Sequence, residues 1–271
     1  MKYHRINLIY FSATLTTRET GRRIAAGMQA ALGTDGPAPE IVEYDITPGN
    51  AQAGEVMPAT GEIALLAMPV YAGRIPAPAA LRLACFRGAG TPAVVACVYG
   101  NRAFDDALLE LADTARKAGF RPVAAGAFVA RHSIFPQVAA GRPDSRDLKA
   151  AREFGYRSAA LLQGAPDPAT LPTPAVPGNH PYKTPGPIPL HPRANRRCNA
   201  CGACARQCPV GAIDPADPRR TDKTRCISCA RCISICPQHA RRFRGLLYRI
   251  ARAKFVKAHS TPQEPRTFLA E

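Results

Sequence analysis

Eight of the chain's ten cysteines fall between residues 198 and 236, and their spacing makes the strongest chemical statement in the sequence. They form two runs, Cys198-x2-Cys201-x2-Cys204-x3-Cys208-Pro and Cys226-x2-Cys229-x2-Cys232-x3-Cys236-Pro, identical in spacing and displaced by 28 residues. The segment is therefore an internal duplication. Three thiolates spaced in this way wrap one face of an iron–sulfur cluster, while the fourth, turned aside by its proline, ligates the other cluster. The pattern predicts two [4Fe–4S] clusters. One takes Cys198, Cys201, Cys204 and Cys236; the other takes Cys226, Cys229, Cys232 and Cys208. Zinc sites usually pair two Cys-x2-Cys halves rather than run three cysteines in a row. A disulfide framework does not suit a reducing compartment. A non-redox interaction module held by structural metal is the remote alternative.

Charge sharpens this reading. The chain carries a formal net charge of +16, and residues 166–271 hold 18 Lys and Arg against 6 Asp and Glu. Such a surface suits an acidic partner, an anionic membrane surface or nucleic acid. A four-thiolate cluster itself carries about −2 when oxidised, so Arg206, Arg219, Arg220, Arg225, Arg231, Arg241 and Arg242 read partly as compensation that favours the reduced cluster. Nucleic acid is thereby the weakest of the three partners. No stretch approaches the roughly 20 apolar residues of a membrane span, and the N-terminal MKYHRINLIYF has too short an apolar core for a secretory signal. The expected location is cytoplasmic.

The elements that must position this chemistry divide at a proline-rich connector. Residues 164–197 contain ten prolines, which exclude helix and central strand. Upstream, short apolar runs at 5–11, 41–46, 63–68, 93–99 and 123–129 read as buried strands. Helical patterns at 17–32, 77–86, 104–118 and 145–163 separate or follow them. Alternation of this kind implies right-handed crossovers. The predicted fold is an α/β flavodoxin-like, doubly wound, five-stranded parallel sheet of order 2-1-3-4-5, followed by a small α+β ferredoxin-like domain. The expected boundaries are 1–164 for the sheet domain, 165–195 for the connector, 196–240 for the cluster domain and 241–271 for a basic amphipathic tail.

In such sheets ligands sit at the carboxyl ends of the strands. Three loops lie there. Ser12, Ala13, Thr14, Leu15, Thr16 and Thr17 follow strand 1 and open helix 1, where free N–H groups and the helix dipole favour a phosphate. Leu15 stands where a phosphate loop would use glycine, and Thr16-x-x-Glu19 also reads as a capping box that satisfies the helix alone. Pro69, Val70, Tyr71, Ala72 and Gly73 follow strand 3; Tyr99, Gly100 and Asn101 follow strand 4. An electron-transfer module joined to this sheet makes FMN the expected ligand of the three loops. His132 and Ser133 follow strand 5, where they either approach the flavin edge or cap the loop. Cys85 and Cys97 read as buried small hydrophobes.

The stretches FSATLTT, PVYAGRIP, VYGNRAFDDALLEL, HSI, GRPDSRDLKAAREFG and PGNHPYK, together with the double cysteine motif, resemble the EFR-type family of fused flavodoxin–ferredoxin proteins. The resemblance covers nearly the whole chain. It implies that Ser12 to Thr17 bind the FMN phosphate, that Tyr71 and Tyr99 flank the isoalloxazine, and that Asn101 meets its polar edge. Leu15 and Thr16 depart from the Gly and Asn more usual in flavodoxins. The implied function is electron transfer between a redox partner, two [4Fe–4S] clusters and FMN. The alternative is an FMN-dependent reductase of a small acceptor such as a quinone or nitro compound. Residues 241–259 form a basic amphipathic helix. It either packs on its own domain, offers a docking face to an acidic protein redox partner, or touches a membrane surface.

Overall fold

The computed structural model describes residues 2–34, 36–49, 60–186 and 188–270. Its first part alternates strand and helix: β1 (Arg5–Tyr10), α1 (Thr16–Leu32), β2 (Glu40–Asp45), β3 (Glu62–Pro69), α2 (Ala77–Leu83), β4 (Pro92–Tyr99), α3 (Ala107–Lys117), β5 (Arg121–Val129) and α4 (Ser145–Gly164). The strand order is β2-β1-β3-β4-β5, all parallel, as the alternation predicts. Every residue of β3 is buried, which is why its sequence EIALLAMP is apolar after Glu62 rather than alternating.

One sheet face carries Phe11, Leu66, Met68, Val95 and Cys97 against Leu83 of α2 and Leu108 and Leu111 of α3. The other carries Leu8, Leu65, Val94 and Phe128 against Ile24 and Met28 of α1 and Phe154 of α4. Two glycines set how closely α1 and α4 approach. A Cβ on Gly27 would stand 1.9 Å from the carbonyl oxygen of Arg152, and one on Gly155 would stand 2.0 Å from that of Ile24. Helix α4 starts at a capping box in which Asp144 accepts from Arg146 N and Asp147 N and Asp147 accepts from Asp144 N.

The connector crosses the face of α3 and is pinned to it; its Pro187 lies outside the described residues. The buried carboxylate of Asp106 accepts from Asn179 N at 2.9 Å and Lys183 N at 2.6 Å. Arg74 stacks on Tyr182 at 4.5 Å and donates to the carbonyl of Lys183. Beyond it come β6 (Arg193–Ala194), α5 (Ala203–Arg206), α6 (Arg231–Ser234), β7 (Arg241–Arg242), α7 (Leu246–Ala258) and β8 (Arg266–Leu269). Strands β6 and β7 pair with each other.

The end of the chain is where the sequence reading falls short. Residues 266–269, taken there as tail, return to the first sheet and pair antiparallel with β5, from Ala124 with Leu269 to Ala127 with Arg266. Helix α7 packs through Tyr248, Ala251, Phe255 and Val256 against Ile134, Phe135 and Phe243. The loop after β5 in the sheet domain, with Phe243, therefore covers one stripe, while Leu246, Leu247 and Ile250 stay exposed. No helix is long and apolar enough to cross a membrane among the described residues.

Candidate functional site

The duplication in the cysteine sequence recurs in the backbone. Ala200 and Ser228, Gly202 and Ala230, and Gly211 and His239 all have positive φ, and each pair is separated by the 28-residue period of the cysteines. Gly202 and Ala230 precede α5 and α6, four-residue helices that each carry the third cysteine of a motif. The N–H of Ala212 donates to Cys208 Sγ and that of Ala240 to Cys236 Sγ, both at 3.3 Å. Two equivalent loops thus aim their backbone donors at equivalent sulfurs. Hydrogen bonds of this kind stabilise the anionic sulfurs of a cluster.

The thiols group across the two motifs. Burial raises Cys204, and the neighbours that add to this are Cys198 and Cys236. Burial raises Cys226, with Cys208 as its cysteine neighbour, and raises Cys229 further, with Cys232, Cys208 and Cys226 beside it. Cys232 is pushed up to about 11, again by burial first, and it also feels Cys226 and Cys204. Cys236 of the second motif thus stands near Cys198 and Cys204 of the first, and Cys208 of the first near Cys226 and Cys229 of the second, while Cys232 and Cys204 meet between the two groups. Among the described residues no three His, Cys, Asp or Glu side chains converge on a single metal ion.

Of the seven arginines expected near the ligands, two are inside. Arg241, 2% exposed, donates to Pro218 O at 2.6 Å, Pro192 O at 3.3 Å and Thr221 Oγ1. It also lies 4.0 Å from Cys204 Sγ and draws down the thiols of Cys226 and Cys232. One guanidinium thus serves thiols of both sets, and its Nε has no partner among the described residues. Arg231, 7% exposed, donates to Gln207 Oε1 at 2.7 Å and to Ser12 O at 3.3 Å, joining the two cysteine motifs to the loop after β1.

The second motif is set into the carboxyl end of the sheet. Cys229 is part of the sheet's own apolar core, with Val70, Tyr71 and Ile227 against the same cluster. Tyr71 is raised well above the usual phenol range by this burial, with Cys229 beside it. Arg82 of α2 donates to Ile46 O at 2.7 Å, to Thr47 O at 2.9 Å and to Pro209 O. Cys201 of the first motif, by contrast, is exposed.

This docking bears on whether the three loops fit FMN. The phosphate end fits by donor chemistry. The hydroxyls of Thr14 and Thr16 lie 3.4 Å apart at the start of α1, and the N–H groups of Thr16 and Thr17 meet no acceptor among the described residues. Two details depart from expectation. Leu15 has φ +71, so the loop turns in the left-handed region that glycine would enter without strain. The capping box does not form: helix α1 has no side-chain cap from its N-cap residue, and Arg18 N is met instead by Ser12 Oγ at 3.0 Å.

The ring end does not fit. Asn101 donates to His259 O and Thr261 O and accepts from Gln263 N, each at 2.9 Å, so its side chain holds the C-terminal segment rather than a ligand edge. Thr14, Tyr71 and Tyr99 line three different cavities, of 290, 430 and 620 Å³. The two tyrosines are not brought to one slot. Pro69 ends β3, Ala13 and Val70 pack their side chains into the apolar core, and Ala72, Gly73 and Gly100 lie in the loops.

His132 caps its own loop, its Nδ1 accepting from Ile134 N and Phe135 N at 3.2 and 3.1 Å. Cys97 is buried as expected, whereas Cys85, two residues past the end of α2, is exposed. Ser12's other partner, Thr47, was not legible in the sequence; it accepts from Ser12 N at 2.7 Å.

Residues 197–241 match the family model of a 4Fe-4S dicluster domain. The chain is a flavodoxin-like domain followed by a 4Fe-4S domain. Among solved structures, a flavodoxin from the domain Archaea is 12% identical over 59% of this chain and 99% of its own, with a TM-score of 0.41. A flavodoxin of Streptococcus pneumoniae TIGR4 is 16% identical over 58% and 99%, with a TM-score of 0.39. An oxidoreductase from Corynebacterium diphtheriae is 12% identical over 60% and 96%, with a TM-score of 0.43. No curated protein sequence matches the chain. Strand order and register carry the fold assignment for the first domain.

Proposed function

We propose that this chain is an electron-transfer protein holding two [4Fe–4S] clusters. Cys198, Cys201, Cys204 and Cys236 ligate one; Cys226, Cys229, Cys232 and Cys208 ligate the other. The observation that carries the reading is the repeat itself. Cysteines, left-handed corners and N–H···S bonds recur together at one period, and the nearness of Cys236 to Cys204 and of Cys208 to Cys229 supports ligation across the motifs. The protein's part is to hold, insulate and bias the clusters: Arg241 neutralises thiolates of both sets, and the sheet domain buries the second.

FMN belongs to this reading at the phosphate end only. Thr14, Thr16, Thr17 and the start of α1 would hold its phosphate, and a bound flavin would exchange one or two electrons. Loops two and three support no ring site as they stand, so no electron path is drawn through it. Anaerobic purification tests the whole. The expected result is about eight iron and eight acid-labile sulfide per chain, with reduced-cluster signals in electron paramagnetic resonance. Iron near four per chain would reduce the reading to one cluster, and none would overturn it. Flavin extracted from the same sample measures the FMN part separately.

A further inference from the structure

Two adjoining clefts lie on the cluster domain and the start of α7. One, of 770 Å³, is lined by Arg196, Arg197, Arg219, Arg242 and Arg244 with Ala194 and Asn195. The other, of 630 Å³, shares Arg219 and Arg244 with it and continues to Leu246 and Leu247 at the start of α7. Neither is lined by an acidic side chain. The five arginines of the first cleft are exposed and none forms an ion pair with a described residue. Leu246 is 71% and Leu247 55% exposed, so the basic cleft has an apolar lip.

The cleft also touches the chemistry. Arg219 donates to the carbonyl of Cys198 at 2.8 Å, and Cys201 of the same motif is exposed, whereas Cys229 of the second motif is sealed into the sheet domain. A body seated in the cleft therefore lies against the first motif.

We propose that this arginine cleft is the docking site of an acidic one-electron carrier protein, and that electrons enter or leave the chain through the first motif. The proposal rests on the cluster reading above. Docking exchanges one electron: the carrier's centre loses it and the first-motif cluster gains it, or the reverse, with no bond made and no proton carried. The chemistry selects a protein. Carboxylates meet the guanidinium forks, and an apolar spot meets Leu246 and Leu247, the combination of basic rim and apolar contact that protein interfaces use. A phosphate backbone offers nothing to the leucines. A bilayer would have only Leu246, Leu247 and Ile250 to hold, because the other apolar stripe of α7 faces the protein interior.

The test uses the full chain with its clusters in place. Arg196 and Arg242 make no side-chain hydrogen bond to a described residue, so R196E/R242E breaks no side-chain bond; Arg242 also borders the cavity of Thr14, so the flavin content of the variant is measured beside its rates. Re-oxidation of the dithionite-reduced protein is followed by stopped flow with ferricyanide, with the cationic oxidant tris(phenanthroline)cobalt(III), and with an acidic single-cluster ferredoxin as protein probe. Ferricyanide and the acidic ferredoxin are expected to lose about tenfold in rate at low salt in the variant and to lose most of their salt dependence. The cationic reagent is expected to gain. A control, R249E/K254E on the exposed side of α7, is expected to change each rate less than twofold.

Equal rates for R196E/R242E and the unaltered protein would overturn the proposal, as would a loss confined to the α7 control. So would binding of a DNA duplex or an anionic phosphatidylserine vesicle at physiological salt that the cleft variant abolishes while the ferredoxin rate stands. Iron and sulfide content of each variant keeps this outcome distinct from failure of the cluster reading.

Discussion

Arg241 is where a single residue decides the redox character of the site. On the two-cluster reading, a buried guanidinium beside thiols of both sets favours the extra electron on either cluster, and Arg220, exposed in the same segment, is screened by water. Taking Arg241→Gln removes the charge and keeps some of the hydrogen bonding to Pro218 O and Thr221. Midpoint potentials measured by a resonance-monitored titration are expected to fall by roughly 50–100 mV, from one charge at ~8 Å and an effective dielectric near 20. Arg220→Gln is expected to leave them in place, and equal shifts in the two variants would remove Arg241 from this role. Leu15 makes the second residue-scale point. Its φ of +71 costs roughly 1–2 kcal/mol in a residue with a Cβ, and the exposed side chain offsets little of that by burial. Leu15→Gly is expected to raise the melting temperature of the sheet domain by a few degrees; no rise would mean that the leucine makes contacts worth its strain.

At the scale of elements, the C-terminal strap is held by one loop of the sheet. Asn101, itself at φ +63, donates two bonds to and accepts one from residues 259–263 just before β8 joins β5. Asn101→Ala leaves those groups unpaired and is expected to cost about 2–3 kcal/mol. Asn101→Gly loses the same bonds but relieves the backbone, and is expected to cost about 1 kcal/mol less. Limited proteolysis between α7 and β8 reads both. The loop after β5 adds a pH dependence. His132 is pushed down to about 4, by burial first and then by His259 and Arg102. Its folded form is neutral, so the unfolded chain binds the extra proton between that value and 6.5. Stability is therefore full above about pH 6.5 and falls as pH drops toward 4, by on the order of 3 kcal/mol; urea midpoints across this range check the sign. These elements also show what the sequence made legible. The alternation of apolar runs and helical patterns predicted the strand order, and the duplicated cysteines predicted the cluster domain, because both are periodic signals. Strand β8 was missed because RTFL is four residues beside a basic helix, with no period of its own. The role of Asn101 was missed because its partners are backbone groups some 160 residues away, which no local pattern encodes.

At the scale of the molecule, the two domains are joined by more than the connector. Arg82 ties α2 to Pro209, Arg231 ties Ser12 to the cysteine motifs, and Cys229 completes the sheet's apolar core. Small cluster domains draw their folding free energy from their metal, so the carboxyl end of the sheet inherits a dependence on iron. Removing iron anaerobically is expected to unfold residues 197–241 and to raise amide exchange at 12–18 and 70–75, while β3 and β4, buried on both faces, stay protected. Arg82→Ala separates the contribution of the contact from that of the metal. With clusters intact it removes three charge-assisted bonds to carbonyls, worth about 2 kcal/mol in all, and is expected to speed exchange at the same loops about 30-fold without loss of iron. If the iron-free protein keeps those loops protected, the sheet domain closes by itself and the second motif is only resting on it. If they open, the cluster domain is the lid of the flavodoxin-like sheet, and any ligand of the loop at Thr14 to Thr17 is gated by cluster assembly.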